Sequence, residues 1–535
     1  MEYEKEKKQY EKILHSGFCD FSCFDPVCRN DPRGGARAPG NPCGGEYRGK
    51  WDGETVATGL SGEGSEESPY RISSPEELAW LGASSQTSDY AGKYILLCAS
   101  LDMGNFNLYV EGASKMIGSS TKPFAGTFDG NGYTVSGVKV SGGKSEGAGL
   151  FGYLKGATVR NLRIADSSVG TAYDVNAGGI AAQAVNSTIE GCVVTDTTVT
   201  GELYIGGIVG QATGTTIRNC INRADVADGG VSTSAANVIA GGILGYSPDG
   251  VGGNTIDYCA NYGSVSIKPQ KGSILSAGGI IGYITKGDII SYCYNAAEEV
   301  SGVTSIKIRV TAGGIAGRMR SAKASSGTAT IDHCVNLTGT FTATSASETN
   351  NSGLICGFIN SGKLTMTDNQ SIAAENIELL GGGADKLAVN TGNGIVSSPD
   401  VSTIRTAIAG SRSFKSHIVG MQKHNTDARK LRFVMSVDSL DYRYAEFRIS
   451  AVYKTETYYN GYEPIRNVYP QVLVGSGTRT AYDCDGAYLT TMTVENVPID
   501  ADVTFTVACY ICRLDGTLVL ADQAVFEYPA LTSGN

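Results

Sequence analysis

Residues 204–222 read YIGGIVGQATGTTIRNCIN, residues 239–261 read IAGGILGYSPDGVGGNTIDYCAN, and residues 276–295 read SAGGIIGYITKGDIISYCYN. The same signals recur in the same order: a Gly-Gly-hydrophobic block, a β-prone block ending in cysteine, and an asparagine two residues beyond the cysteine. Working outward, the first block returns as AGLFG at 148–152, GGIAA at 178–182, GGIAG at 313–317 and SGLICG at 352–357. Its branched residue (Leu150, Ile180, Ile208, Ile243, Ile280, Ile315, Leu354) recurs at intervals of 30, 28, 35, 37, 35 and 39. The second block ends at Leu162, Cys192, Cys220, Cys259, Cys293 and Cys334. A third β-prone piece lies around Val199, Val226, Val265, Val300 and Phe341. This reading predicts three short strands per repeat, seven times over.

A unit of about 30 residues with three strands has no core of its own. Stacked as successive coils, each strand pairs with its counterparts above and below, and the interior ladders close. The unequal intervals then place loops of different length on a constant coil, chiefly at 247–254, 318–328, 268–276 and 342–351. Cys192, Cys220, Cys259, Cys293 and Cys334 share one position, about 4.8 Å apart along the stack. That spacing is wide for disulfide geometry, so they are expected as a column of buried thiols. Asn222, Asn261, Asn295 and Asn336 are expected as an amide ladder.

Composition agrees with a tightly turning repeat: 71 glycines in 535 residues are about twice the ordinary share. Formal net charge is −10, with no block of lysines or arginines, which argues against a phosphate-tracking surface. No run of 18 apolar residues is present, so membrane insertion is not expected. Residues 1–50 form an atypical segment, charged over 1–15 and then rich in Pro, Gly and Arg with Cys19, Cys23, Cys28 and Cys43. Disorder is the expectation there, because the cysteines lack paired C-x-x-C spacing for zinc and no signal peptide is readable. The expected organisation continues with a cap and first coil at 51–123, repeats at 124–372, a terminal coil and linker at 373–428, and a separate domain at 429–535.

The blocks G-G-[IL]-x-G and T-I-x-N-C-x-N resemble the GLUG-type repeats of large bacterial surface and secreted proteins. YRISSPEELAWL at 70–81 and FAGTFDGNGYTVSGVKV at 124–140 resemble the lead-in typical of such proteins. The resemblance implies a right-handed parallel β-helix and an extracellular or cell-surface setting. It implies no single activity. After residue 429 glycine falls and alternating runs appear, among them LRFVMSV from Leu431 and VTFTVACYI from Val503, with turn signals at Asp485-Gly486 and Asp515-Gly516. These predict a small antiparallel β-sandwich. The stretch RFVMSVDSLDY at 432–442 resembles a terminal Ig-like module of secreted proteins. Cys509 and Cys512 form a C-x-x-C inside a strand pattern, where a redox role is not expected.

The fold hosts polysaccharide lyases and hydrolases, whose catalytic motifs are specific. Pectinase-like hydrolases carry N-T-D, D-D, G-H-G and R-I-K motifs. This chain has one N-T-D, Asn425 to Asp427, outside the repeats, and neither D-D nor G-H-G. Glu190, Asp257 and Asp332 share a repeat position but lie two rungs apart, about 9.6 Å, too far for one metal ion. No catalytic residue, metal ligand or cofactor is assigned. A binding face reads better. The residue after each Gly-Gly block is Tyr153, Gln183, Gln211, Tyr246, Tyr283, Arg318 and Phe358 in turn, and Tyr258, Tyr292, Tyr294 and His333 flank the cysteines. Outward tyrosines offer apolar faces to sugar rings, and Gln and Arg bond hydroxyls. Lys268, Lys271, Arg318, Arg320 and Lys323 favour an acidic glycan. The expected partner is a polysaccharide, or a host or cell-surface glycan or protein, with no nucleic acid, and the chain is expected to be monomeric. A lyase or hydrolase on the same fold, and a passive surface stalk, are the alternatives.

Overall fold

The computed structural model describes residues 50–142, 147–171, 173–229, 237–321, 327–346 and 350–410, and the strands beyond them up to residue 528. Residues 1–49, Lys323, the N-T-D at 425–427 and both Asp-Gly turn signals lie outside the described residues.

One coil holds five short strands, not the three expected. In the coil that contains the first quoted stretch they are Tyr204–Gly206, Val209–Thr213, Thr216–Arg218, Ile221–Asn222 and Asp225–Asp228. The sheets they belong to are numbered I to V in that order. All five sheets are parallel, and each strand pairs with its counterpart one coil away: Ile205 with Ala177 and Ala240, Ile217 with Ile189 and Ile256, Val226 with Val199 and Val265. The result is a parallel β-helix. Sheet III, with 11 strands among the described residues, runs from Tyr70–Ile72 to Leu387–Thr391, so the stack extends past the repeat motifs at both ends.

The corners explain why each expected strand divides. The Gly-Gly pair separates sheets I and II. An added Cβ at Gly206 would stand 1.9 Å from the Val209 carbonyl oxygen, and one at Gly207 would stand 2.2 Å from Asn222 Cγ and from the Gly242 oxygen. The second glycine is therefore required by the asparagine on the opposite wall. The same approach repeats at Gly242 with Asn261, Gly279 with Asn295 and Gly314 with Asn336. The asparagines form the expected ladder: Asn222 Nδ2 donates to Asn261 Oδ1 at 2.9 Å, Asn261 to Asn295 at 2.9 Å and Asn295 to Asn336 at 3.2 Å. Each amide also ties its own chain, as Asn261 Nδ2 does to the Gly263 oxygen at 2.9 Å.

A second corner, between sheets III and IV, needs a left-handed residue. Asn161, Gly191, Asn219, Tyr258, Tyr292, His333, Asp368 and Gly392 occupy it, all with positive φ. The next residue in five of these coils is a cysteine, fully buried and free, as expected. Each thiol donates back to the carbonyl two residues earlier, Cys220 to Arg218 at 3.2 Å and Cys293 to Ser291 at 3.2 Å. A small buried donor suits that turn. Burial raises the Cys192, Cys259 and Cys293 thiols well above their usual range.

Helix α1, Pro75–Ser84, covers the first coils. Ser74 caps it by accepting from the Glu77 N–H, and Leu78, Ala79 and Leu81 are buried. Helix α2, Ser402–Gly410, sets Ile404 and Ile408 on the outer face of sheet IV. There Val193, Ile221, Ala260, Tyr294 and Val335, one from each of five successive coils, form an apolar stripe that the helix closes. In the C-terminal region, a three-stranded antiparallel sheet and a four-stranded one meet through Phe433, which lies 5.2 Å from Phe505 and 5.6 Å from Phe526. Its first strand, His417–Lys423, begins before residue 429.

Asp288 is a buried carboxylate at a corner of sheets II and III. It accepts from Asn254 N–H at 2.9 Å, Asn254 Nδ2 at 3.1 Å and Thr285 N–H at 2.7 Å. Burial outweighs these bonds and pushes it up from 3.8 to about 6. Between those values the folded state keeps a proton that the unfolded chain has released. The stability from this group is therefore full below pH ~4 and is lost as pH rises through 6, by ~3 kcal/mol. Asp288→Asn should flatten that slope in denaturant titrations from pH 4 to 7; an unchanged slope would contradict the assignment. At the Gly-Gly corner, Gly242→Ala should lower unfolding free energy by about 1–3 kcal/mol. Gly59→Ala, where nothing lies within 4 Å of the added methyl group, should stay within ~0.5 kcal/mol.

Candidate ligand-binding face

Three outer columns carry polar and aromatic side chains. On sheet III the residues in register are Asp129, Arg160, Glu190, Arg218, Asp257, Ser291, Asp332 and Thr367. Charge alternates along the first five. Arg160 Nε meets Asp129 at 2.8 Å, Arg218 Nη2 meets Glu190 at 3.0 Å, and Ser291 Oγ donates to Asp257 Oδ1 at 2.9 Å. Burial raises Asp257, while the Ser291 hydroxyl and Arg218 hold it down. Thr367 donates to Asp332. Glu190, Asp257 and Asp332, the acids a catalytic reading would use, thus bond within their own column.

The second column is the left-handed corner. Tyr258 and Tyr292 stack with centroids 5.0 Å apart and planes 10° apart; Tyr292 and His333 follow at 4.8 Å and 18°. Tyr294, expected in the same column, lies in sheet IV instead and is buried beneath α2. Parallel stacking means the rings spend their faces on one another, and Tyr258 and Tyr292 also pack against the cluster closed by α2. Left-handed backbone is unfavourable for a bulky side chain. The stack offsets that strain. Beside it, His333 Nδ1 lies 2.9 Å from Asp332 and Nε2 lies 3.8 Å from Asp368, and these three could offer ligand atoms to a metal ion.

The third column is the one after the Gly-Gly blocks. Sheet II sets Tyr153, Gln183, Gln211, Tyr246, Tyr283, Arg318 and Phe358 in register, one per coil, as expected from the spacing. The expectation that all of them face solvent fails at two positions: Tyr283 is 1% exposed and Arg318 4%. The cause is the Gly-Gly corner, which folds sheet I back beside sheet II. Tyr204 of sheet I stacks on Tyr246 at 4.1 Å and 16°, and Tyr246 meets Tyr283 edge-on at 5.4 Å. Ser276 Oγ of sheet I donates to the Gly282 oxygen of sheet II at 2.8 Å. The seam between the two sheets is closed: Ile239, Ser276 and Thr311 of sheet I are buried. Tyr153, Gln183, Gln211 and Tyr246 are half-buried on the outer side of sheet II beside it. Burial pushes the Tyr283 hydroxyl up to about 12 and lowers Arg318 to about 10. Arg320 pairs with Asp249 at 3.2 Å. The period alone does not reveal Tyr204 and Arg309 beside this column; the i−7 offset of Tyr204 from Gln211 across the Gly-Gly corner is the signal the sequence offers.

No family model matches the chain, and no solved structure matches it. Halomucin of Haloquadratum walsbyi is 30% identical over 152 residues, 26% of this chain. The matched part is 2% of that protein's length.

If stacking holds the second column, Tyr258 and Tyr292 should be energetically coupled. A double-mutant cycle to alanine, read by urea unfolding, should give about 0.5–1.5 kcal/mol. Additive effects would show that the rings are not coupled.

Proposed function

We propose that this chain is an exported, non-catalytic β-helix that binds glycan along the outer side of sheet II. The observation that carries the reading is the composition of the sheet II column. On sheet III, the position two residues before the alternating charges repeats threonine at Thr158, Thr188, Thr216 and Thr255, a choice that serves the ladder itself. Sheet II instead varies Tyr, Gln, Gln, Tyr, Tyr, Arg and Phe from coil to coil. Amides and guanidinium groups serve sugar hydroxyls, and aromatic rings serve the apolar face of a pyranose. The internal pairing of Glu190, Asp257 and Asp332 supports the non-catalytic part. The local likeness to halomucin supports a surface setting, and among the described residues no helix is long and apolar enough to cross a membrane.

The full chain should be retarded in native gels that contain a polysaccharide from a panel of neutral and acidic glycans, with no new reducing ends formed. Gln183→Ala combined with Gln211→Ala should weaken retardation about tenfold, ~1.4 kcal/mol, with an unchanged melting temperature. These two are better probes than Tyr283, whose burial makes its removal a test of folding. Cleavage would favour the enzyme alternative. Neither retardation nor cleavage across the panel would favour a passive stalk.

A further inference from the structure

We propose that Arg318 is the receptor for the carboxylate of an acidic sugar unit, a uronic acid within a glycan chain; this rests on the glycan-binding reading above. Arg318 is 4% exposed, and its Nε and Nη1 are buried with no hydrogen-bond partner. Among the described residues no carboxylate pairs with it. Its rung neighbours are aromatic, Tyr283 below and Phe358 above. Its guanidinium carbon lies 5.7 Å from the centre of the Phe358 ring, and that of Arg309 lies 4.2 Å from the same ring. Arg320, the third arginine, is held by Asp249. Among the described residues, three cations and one anion therefore meet at this end of the sheet II column.

A guanidinium taken out of water without an acceptor is unfavourable, whereas one that meets a carboxylate through two parallel hydrogen bonds is not. Phosphate and sulfate share that preference, but the two aromatic neighbours add an apolar surface that a bare oxyanion does not use. A uronic acid presents both features, a pyranose face and a planar carboxylate. The buried polar groups of sheet I beside the column are already committed: Thr311 Oγ1 donates to Ser276 Oγ at 3.0 Å, and Ser276 to the Gly282 oxygen.

The test uses the full chain with polygalacturonate, a neutral galactan and sodium sulfate. Wild type should bind polygalacturonate at least tenfold more tightly than the galactan. Arg318→Met should abolish that preference, the loss of affinity being at least tenfold greater for polygalacturonate than for the galactan. Its melting temperature without ligand should be equal or higher, because an unpaired buried charge has been replaced by an apolar side chain. Arg318→Lys, which keeps the charge but not the fork, should lose about fivefold. The site is overturned if Arg318→Met keeps the preference, or if sulfate at matched ionic strength displaces polygalacturonate completely. Equal binding of both glycans by wild type would remove Arg318 as a receptor and leave glycan binding standing. Absence of binding to either, and to the wider panel, would remove both.

Discussion

Four successive coils narrow to a point where a glycine backbone lies against an asparagine amide from the opposite wall. There is no room for a methyl group between Gly207 and Asn222, nor at the three equivalent places above it. The amide needs that proximity, because its donors and acceptors are taken up by its own chain and by the amides one coil away. Without the glycines the asparagines would be displaced, and without the asparagines six buried backbone groups would lose their partners. The five-sheet cross-section follows from this waist. It sends sheet I back along sheet II on the outside, and so sets the surroundings of the column that carries the candidate ligand contacts.

Much of the scaffold could be read from the period alone. The buried thiols, the asparagine ladder and the register of the sheet II column all follow from residues recurring at one place per coil. Strand number could not be read in the same way. Segments such as Ile221–Asn222 are two residues long and are bounded by a left-handed residue that β-propensity does not distinguish from its neighbours. Tyr294 illustrates the cost of that blindness: Tyr292 is itself the left-handed residue and stacks at the corner, whereas Tyr294, two positions on, lies buried in sheet IV.

The binding face was legible as a column and illegible as a surface. Sequence register placed Tyr246, Tyr283 and Arg318 together correctly, but exposure depends on what the neighbouring sheet does. The return of sheet I covers Tyr283 and Arg318 and leaves Gln183 and Gln211 half-buried. The missing counter-charge of Arg318 is likewise a property of three-dimensional neighbourhood. The same holds for Asp288, whose partners Asn254 and Thr285 come from loops of different length.

Helix α2 rests on a stripe drawn from five successive coils, whereas each coil is otherwise joined only to the two beside it. A stack of rungs linked one to the next is a series chain, and its tensile strength is that of its weakest junction. A strut that spans several junctions changes the mechanics. Axial tension must then part the coils and peel Ile404 and Ile408 from the stripe together, so the load is shared across the segment from Val193 to Val335. That segment should behave as a stiff rod within the filament, and bending should concentrate in the coils beyond its ends.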